Sequence, residues 1–342
     1  GQDLLPLLAQ AGHEVRAPRH ADAPLEEKGA LETWLGGWTP ERVFHLAAFT
    51  DVDGCEKDEP RARASNALAT GRVAALAFRW DAAMLYLSTD YVFDGSACIP
   101  IPPDAHPAPL NVYGRTKREG EEAVRKIVSR HWIVRVSWLC GPHGRNFVEA
   151  IKARIAAGQP LSVVDDQRGR PTFTFDLAPA LIKLVDVAAP GTYHLANQGV
   201  CTWYEFAAEI LRRSGVSVPL KRTTTLELNR PALRPGYSVL DTTKADQALG
   251  GSLPTWQDAL ERYDRATIAR AIIDKGLKPG AAAYQSGAFW VHARHNWNLV
   301  CNGGMVLGAL TVLDEEPKFG GEIIDLSRDS ITTGVHAFAP DG

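Results

Sequence analysis

Tyr113 and Lys117 stand four residues apart, a spacing that puts both side chains on one face of a helix. An ammonium beside a phenol stabilises the phenolate and draws the phenol from its ordinary pKa of about 10 toward neutrality. Such a phenol can exchange a proton with a carbonyl oxygen, the chemistry of a reduction in which hydride and proton arrive together. An exposed helical pair is the plain alternative for the same spacing. Upstream, Ser88-Thr89-Asp90 closes the apolar run Leu85-Tyr86-Leu87 and so puts hydroxyls at the end of a strand, the usual ligand edge of a parallel sheet. As strand-end caps, the same hydroxyls would serve only the backbone.

The elements that must position these groups alternate along the chain. Short apolar runs at 43–48, 84–88, 132–136 and 191–195 predict strands, and helical patterns at 62–78 and 113–127 separate the first three. That order predicts an α/β fold, a doubly wound Rossmann-like parallel sheet. Leu4, Leu5, Leu7 and Leu8 predict a first helix stopped at Gly12, and further helices are expected at 202–213 and 255–262, with a proline-rich connection at 229–236 between them. After Tyr263 the character changes: a fresh helix at 264–275, a break at Pro279-Gly280, then a glycine- and alanine-rich stretch through Gly303-Gly304. Two domains are expected, residues 1–262 and a mainly helical tail at 263–342.

Composition narrows the classes of function. With 342 residues, 45% hydrophobic and 23% charged, the chain can bury a large core, and a net charge of -3 supplies no basic surface for nucleic acid and no polybasic membrane anchor. Five scattered cysteines without a CxxC pair argue against a disulfide framework or zinc site and for a reducing cytoplasm. No apolar run approaches the ~18 residues that span a bilayer, and no secretion signal is visible.

Three segments then resemble, in order and spacing, the signatures of dTDP-4-dehydrorhamnose reductases of the extended short-chain dehydrogenase/reductase superfamily. They are Ala47-Ala48-Phe49-Thr50-Asp51-Val52-Asp53, Ser88-Thr89-Asp90-Tyr91-Val92-Phe93-Asp94-Gly95, and Pro109-Leu110-Asn111-Val112-Tyr113-Gly114-Arg115-Thr116-Lys117. Arg135-Val136-Ser137-Trp138, the stretch 166–172, Thr202-Trp203-Tyr204 and the stretch 230–235 continue the pattern, so the resemblance covers about residues 1–262. It implies a smaller C-terminal substrate-binding subdomain and reduction of the C4 keto group of dTDP-4-dehydro-L-rhamnose to dTDP-L-rhamnose. Tyr113 would give the proton to the C4 oxygen. Lys117 would lower its pKa and hold the nicotinamide ribose, and Thr89 would orient both. Thr89, Asp90 and Trp138 would meet the nucleotide sugar; Ala47, Ala48 and Phe49 would run along the cofactor, with Gly1 at its pyrophosphate and Asp22 at its adenine. Arg16 and Arg19, which follow Val15 where the second strand should end, favour a 2′-phosphate and hence NADPH, with NADH as the alternative. A homodimer belongs to the same expectation, as does a Mg2+ requirement that no residue pattern locates; no protein metal site is expected.

The pattern has departures. The sequence opens at what would be the last glycine of the phosphate-binding turn, so the first strand and two turn glycines are missing, and an N-terminally truncated reductase with poor cofactor affinity is the expectation. Val136 and Cys140 replace a hydroxyl and an aromatic residue. The run from His295 to Leu310 resembles a helical segment of heparinase II/III-like polysaccharide lyases, but the chain ends before a helical toroid is complete and no lyase activity is expected. His292, His295, Asn296 and Asn298 read there as polar loop residues or as catalytic remnants. A non-catalytic nucleotide-binding regulatory subunit of the same fold, a cofactor-deficient reductase and a lyase fragment on a sugar-binding domain are the competing readings. A dehydratase would place acidic residues beside the threonine differently from Asp90-Tyr91.

Overall fold

The computed structural model describes residues 1–293 and 296–335, and its contacts divide into two compact units, Gly1–Ala259 and Leu260–Gly342. In the first, β1 (Arg42–His45), β2 (Ala83–Thr89), β3 (His131–Val136) and β4 (Gly191–His194) form a parallel sheet in that order. Each of the four strands matches an expected apolar run. β2 is buried on both faces, as befits a central parallel strand whose crossover helices cover the sheet on either side. Ala83 and Leu85 pack with Trp132, Val134, Leu181 and Leu184 on one face. Met84 and Tyr86 pack with Ile133, Val73 and Val124 on the other.

The helix α1 (Leu4–Gln10) forms where the leucine spacing places it. Residues 13–17, expected to end a second strand at Val15, form no strand. A strand exists through its ladder of hydrogen bonds, and no described strand lies beside this stretch; β1 is the edge of the sheet. The helix α2 (Val52–Lys57) follows β1 and is capped by the Asp51 carboxylate, which accepts from the Gly54 amide at 3.0 Å. The helix α3 (Val112–Ile127) follows β2 and is capped by Asn111, whose Oδ1 accepts from Gly114 N at 2.8 Å. Farther on, Thr202 and Glu205 make a reciprocal capping box that starts α4 (Trp203–Ser214).

Two sequence expectations fail in the last part of the chain. The helix α5 (Trp256–Ile272) runs straight through 263, with no fresh start at 264, because no glycine or proline lies between Ala259 and Ile268 to break it. Pro279-Gly280 does not stop a helix either. Pro279 lies in the first turn of α6 (Lys278–Ser286), where a missing N–H costs little, directly after a π-helical turn at Ile273–Leu277. In the second unit α7 (Asn296–Thr311), which carries Gly303 and Gly304 within it, packs with α8 (Pro317–Val335) around Ala269, Leu277, Ala309, Val312 and Ile323. Asn298 is fully buried there and donates to the Val291 carbonyl at 2.9 Å, so it serves the packing of the tail. His292 is exposed, while His295 and the side chain of Asn296 lie outside the described residues. Among the described residues no helix is long and apolar enough to cross a membrane.

Candidate active site at the carboxyl end of the sheet

Thr89 is the last residue of β2, at the carboxyl edge of the sheet, and its neighbour across the ladder is Val136 at the end of β3. Its hydroxyl donates to Asp90 Oδ1 at 3.1 Å and accepts from the Tyr91 amide at 3.2 Å. Tyr113, in the first turn of α3, stands edge-on to Tyr91 with ring centroids 5.6 Å apart. What lets α3 start so close to β2 is Gly114, because a Cβ there would overlap the Tyr91 carbonyl oxygen. Burial pushes the Tyr113 phenol well above its ordinary range, with the Thr89 hydroxyl pulling it back and the Asp90 charge adding to the rise. Burial likewise raises Asp90 to about 6, against hydrogen bonds from Ser238 and Thr89. Its Oδ2 is buried without a hydrogen-bond partner among the described residues, an uncommon state for a buried polar atom.

Lys117 does not perform here the task its spacing suggests. Its Nζ donates to the Leu87 carbonyl at 2.8 Å and lies over the Tyr86 ring, 4.1 Å from the centroid. Burial lowers the ammonium to about 7, opposed by the Glu121 carboxylate. The influences on Tyr113 are therefore burial, Thr89 and Asp90, with Tyr91 and Cys55 adding to the rise. Beneath Lys117, Tyr86 stacks on His45, whose Nε2 meets Thr70 Oγ1 at 3.0 Å and whose pKa burial, with the Lys117 charge, lowers to about 3. Ser88 is taken up by structure: it donates to Glu121 Oε1 at 2.6 Å, and Glu121 also accepts two bonds at 2.8 Å from the buried Arg135 guanidinium. The hydroxyls of Ser88 and Thr89 thus part company at the sheet's end, one closing a buried ion pair and one facing the candidate site.

The stretch Ala47-Ala48-Phe49 leaves β1 at the same carboxyl edge and lines a cavity of about 1170 Å³, with Gly1, Leu4, Arg16, His20 and Arg61 among the other lining residues. That volume admits a dinucleotide, and the two alanines leave the wall smooth. Asn66 pins the stretch: its Oδ1 accepts from Phe49 N at 2.8 Å, and its Nδ2 donates to Phe49 O at 3.0 Å and to Thr116 Oγ1 at 3.1 Å. It sits in a π-helical turn, Ala64–Leu68, a deviation common at functional sites. Sequence reading passed over Asn66, although a lone amide within an apolar helical pattern was the available signal. It also passed over Arg61, whose guanidinium lies over the Phe49 ring at 4.5 Å and for which no local signal existed.

Not every expected contact reaches this cavity. Arg16 lines it, but its NH1 donates to the Leu35 carbonyl at 3.0 Å and its guanidinium lies over Trp38. Asp22 is not among the lining residues and accepts from Arg19 Nε at 2.9 Å and NH2 at 3.0 Å, so the two charges satisfy each other. Trp138 follows β3 at the sheet's carboxyl edge with a backbone φ of 48°, and Val136 and Cys140 on either side of it are core residues. Over the site, the 229–236 connection is fastened by Asp53, which accepts from Arg230 NH1 at 3.0 Å and from Arg234 NH1 and NH2 at 3.1 and 3.0 Å. Burial alone would raise Asp53, but the bonds from Arg234, the Ala232 amide and Arg230 hold it at about 2. No group of three or more His, Cys, Asp or Glu among the described residues is placed to hold a metal ion.

Comparison with known proteins gives one consistent answer. The family model of the RmlD substrate binding domain matches residues 1–267. The spore coat polysaccharide biosynthesis protein SpsK of Bacillus subtilis is 39% identical over 77% of this chain and 92% of its own length. A dTDP-4-dehydrorhamnose reductase of Streptomyces griseus is 38% identical over 79% of this chain and 91% of its own. The crystal structure of dTDP-4-dehydrorhamnose reductase from Bacillus anthracis in complex with NADP superposes with a TM-score of 0.74 at 32% identity, covering 77% of this chain and 94% of that one.

Proposed function

Because the chain belongs to the RmlD substrate binding domain family, we propose that it is an NADPH-dependent reductase that converts the C4 keto group of dTDP-4-dehydro-L-rhamnose to the alcohol of dTDP-L-rhamnose. The observation that carries this reading is the convergence of Thr89, Asp90 and Tyr113 at the carboxyl edge of the sheet, beside the cavity lined by Ala47, Ala48 and Phe49. The cavity and its neutral alanine wall fit a dinucleotide, with Gly1 and Arg16 along it; Tyr113, which shares an apolar cluster with the lining residue Phe49, would meet the nicotinamide. NADPH, when bound, supplies the hydride.

The chain's own residues manage the proton. Tyr113 carries its proton at any working pH, since burial raises the phenol, and it is the donor to the C4 oxygen as that oxygen gains charge. Thr89 orients the same oxygen by turning its one hydroxyl proton from Asp90 to the substrate, and Asp90 offers its unpartnered carboxylate oxygen to a sugar hydroxyl. Trp138 bounds the sugar-nucleotide side. Lys117, released from the Leu87 carbonyl, bonds the nicotinamide ribose. Five free thiols suit work in the reducing cytoplasm, and a homodimer is the expected assembly.

The test is NADPH oxidation with the dTDP-4-keto sugar. Turnover by the chain, lost in Tyr113→Phe while calorimetric NADPH binding persists, supports the reductase. Nucleotide binding without turnover in the unsubstituted chain moves the non-catalytic reading ahead.

A further inference from the structure

Trp138 is one of three non-glycine residues among those described with a backbone in the left-handed region, at φ 48°, a conformation that persists where the surroundings over-determine it. The surroundings are visible. Trp203, the first residue of α4, stacks on its indole with ring centroids 3.6 Å apart and planes 11° from parallel. Phe147 lies against Trp203 at 4.5 Å, and Phe206 and then Trp256 continue the aromatic run at 5.5 and 5.4 Å. The 169 backbone also abuts the Trp138 indole: a Cβ at Gly169 would fall 2.6 to 2.8 Å from its Cε2, Cζ2 and Nε1. No described residue accepts from the Trp138 Nε1–H, and that atom is not buried.

The clamp is joined to the candidate site by short covalent and hydrogen-bonded links. Trp138 lies two residues beyond Val136, the ladder partner of Thr89. The Ser238 amide donates to the Arg168 carbonyl at 2.8 Å, next to Gly169, and the Ser238 side chain is among the groups that pull the Asp90 carboxyl back down. The sequence explains why Trp203 can be held so firmly: Thr202 is the N-cap of its helix, and its hydroxyl also donates to Asp165 at 2.6 Å.

We propose that Trp203 and Gly169 are positioning residues for substrate: they clamp the Trp138 indole in its left-handed backbone conformation so that its free edge and N–H meet the nucleotide sugar. This rests on the reading of Trp138 as a substrate contact. A ring clamped in advance loses little freedom on binding, so the clamp acts on substrate affinity and leaves the chemical step and cofactor binding alone. Two substitutions disturb the clamp without touching Trp138: Trp203→Leu removes the stacking face, and Gly169→Ala forces the indole aside.

The experiment measures KM and kcat for the dTDP-4-keto sugar, and calorimetric affinity for dTDP and for NADPH, in Trp138→Leu, Trp203→Leu, Trp203→Phe, Gly169→Ala and the Trp138→Leu/Trp203→Leu double variant. Expected are a KM and a dTDP dissociation constant raised about 5- to 10-fold in Trp203→Leu and Gly169→Ala, the range that one aromatic stack supplies. NADPH affinity and kcat should stay within about 2-fold, and Trp203→Phe should recover most of the loss. The double variant should be no worse than Trp138→Leu alone, because the clamp then has nothing to hold. If Trp138→Leu itself leaves KM and dTDP affinity unchanged, the reading of Trp138 as a substrate contact fails. If Trp138→Leu weakens binding while Trp203→Leu and Gly169→Ala do not, that reading stands and the clamp is refuted. Additive losses in the double variant, or kcat falling in step with stability, overturn the clamp as well, since they mark general packing.

Discussion

The ammonium of Lys117 lies 4.1 Å from the centre of the Tyr86 ring while donating to the Leu87 carbonyl, so the strand that ends in Thr89 also supplies the seat for the site's lysine. A ring face favours the charged form of an amine by about 0.5–2 kcal/mol. Burial opposes it and brings Lys117 to about 7. In the free enzyme the charge is therefore lost as pH rises through about 7, and NADPH affinity should be higher at pH 6 than at pH 8. Tyr86→Leu should move that transition to lower pH and Tyr86→Phe should leave it nearly in place, as followed by calorimetric titration across pH. An unchanged transition in Tyr86→Leu would refute the role of the ring.

Thr89 has a position that valine fills in volume but not in chemistry. In Thr89→Val the hydroxyl that bonds Asp90 and pulls back the Tyr113 phenol is gone. A fall in kcat of about 10²-fold or more is expected from a lost proton-site contact, with NADPH affinity unchanged. Steady-state kinetics beside cofactor calorimetry reads both numbers, and a variant with full kcat would remove Thr89 from the mechanism.

Glu121 and Arg135 form a buried, two-bond ion pair that Ser88 completes. Removing one partner strands a buried charge, so Glu121→Ala should cost about 3–5 kcal/mol of stability. The Glu121→Leu/Arg135→Leu double variant should lose much less than the two single losses summed. Denaturant unfolding of Glu121→Leu, Arg135→Leu and the double variant decides it, and additive losses would show that the pair is not coupled.

Acid should loosen the fold through two buried imidazoles, against a smaller opposite effect of Asp90, whose carboxyl burial raises to about 6. Burial holds the imidazoles of His45 and His194 at about 3, whereas the unfolded chain binds their protons near 6.5. Between those values the unfolded state carries the extra protons, so stability rises with pH and is lost as pH falls from about 6.5. From pH 6.5 to 5 each histidine should cost ~2 kcal/mol, at about 1.4 kcal/mol per pH unit. His194→Gln should flatten the slope of the denaturation midpoint against pH over that range; an unaltered slope would count against the buried neutral imidazole.

Much of this was legible before any coordinates. The four sheet strands and the helices at 4–10, 112–127 and 203–214 follow from apolar period and capping residues, which are local properties of the chain, and motif order is what puts Thr89, Asp90, Tyr113 and Lys117 forward as the proposed site. The failures were local as well as long-range. Nothing near Tyr263 could mark a break, because α5 has none there. Pro279 resembled a stop and is tolerated because it lies in a first turn.

Whether a residue's polar atoms are free or already engaged is decided by neighbours distant in sequence, and no spacing rule contains that. Arg16 and Asp22 carried the right charges for a cofactor, but Leu35, Trp38 and Arg19 occupy them. Ser88 and Thr89 are consecutive hydroxyls with separate duties, because Glu121 takes one. The four-residue step to Lys117 set the helical face but not the electrostatics: burial raises the phenol and lowers the amine, the reverse of what the pair suggests in isolation. Sequence determined which chemical groups gather at the end of the sheet, since secondary structure and motif order are written in nearby residues. Tertiary structure alone decided their protonation, their free valences and the clamp on Trp138, because dielectric, hydrogen-bond partners and packing faces come from segments that meet only when the chain folds.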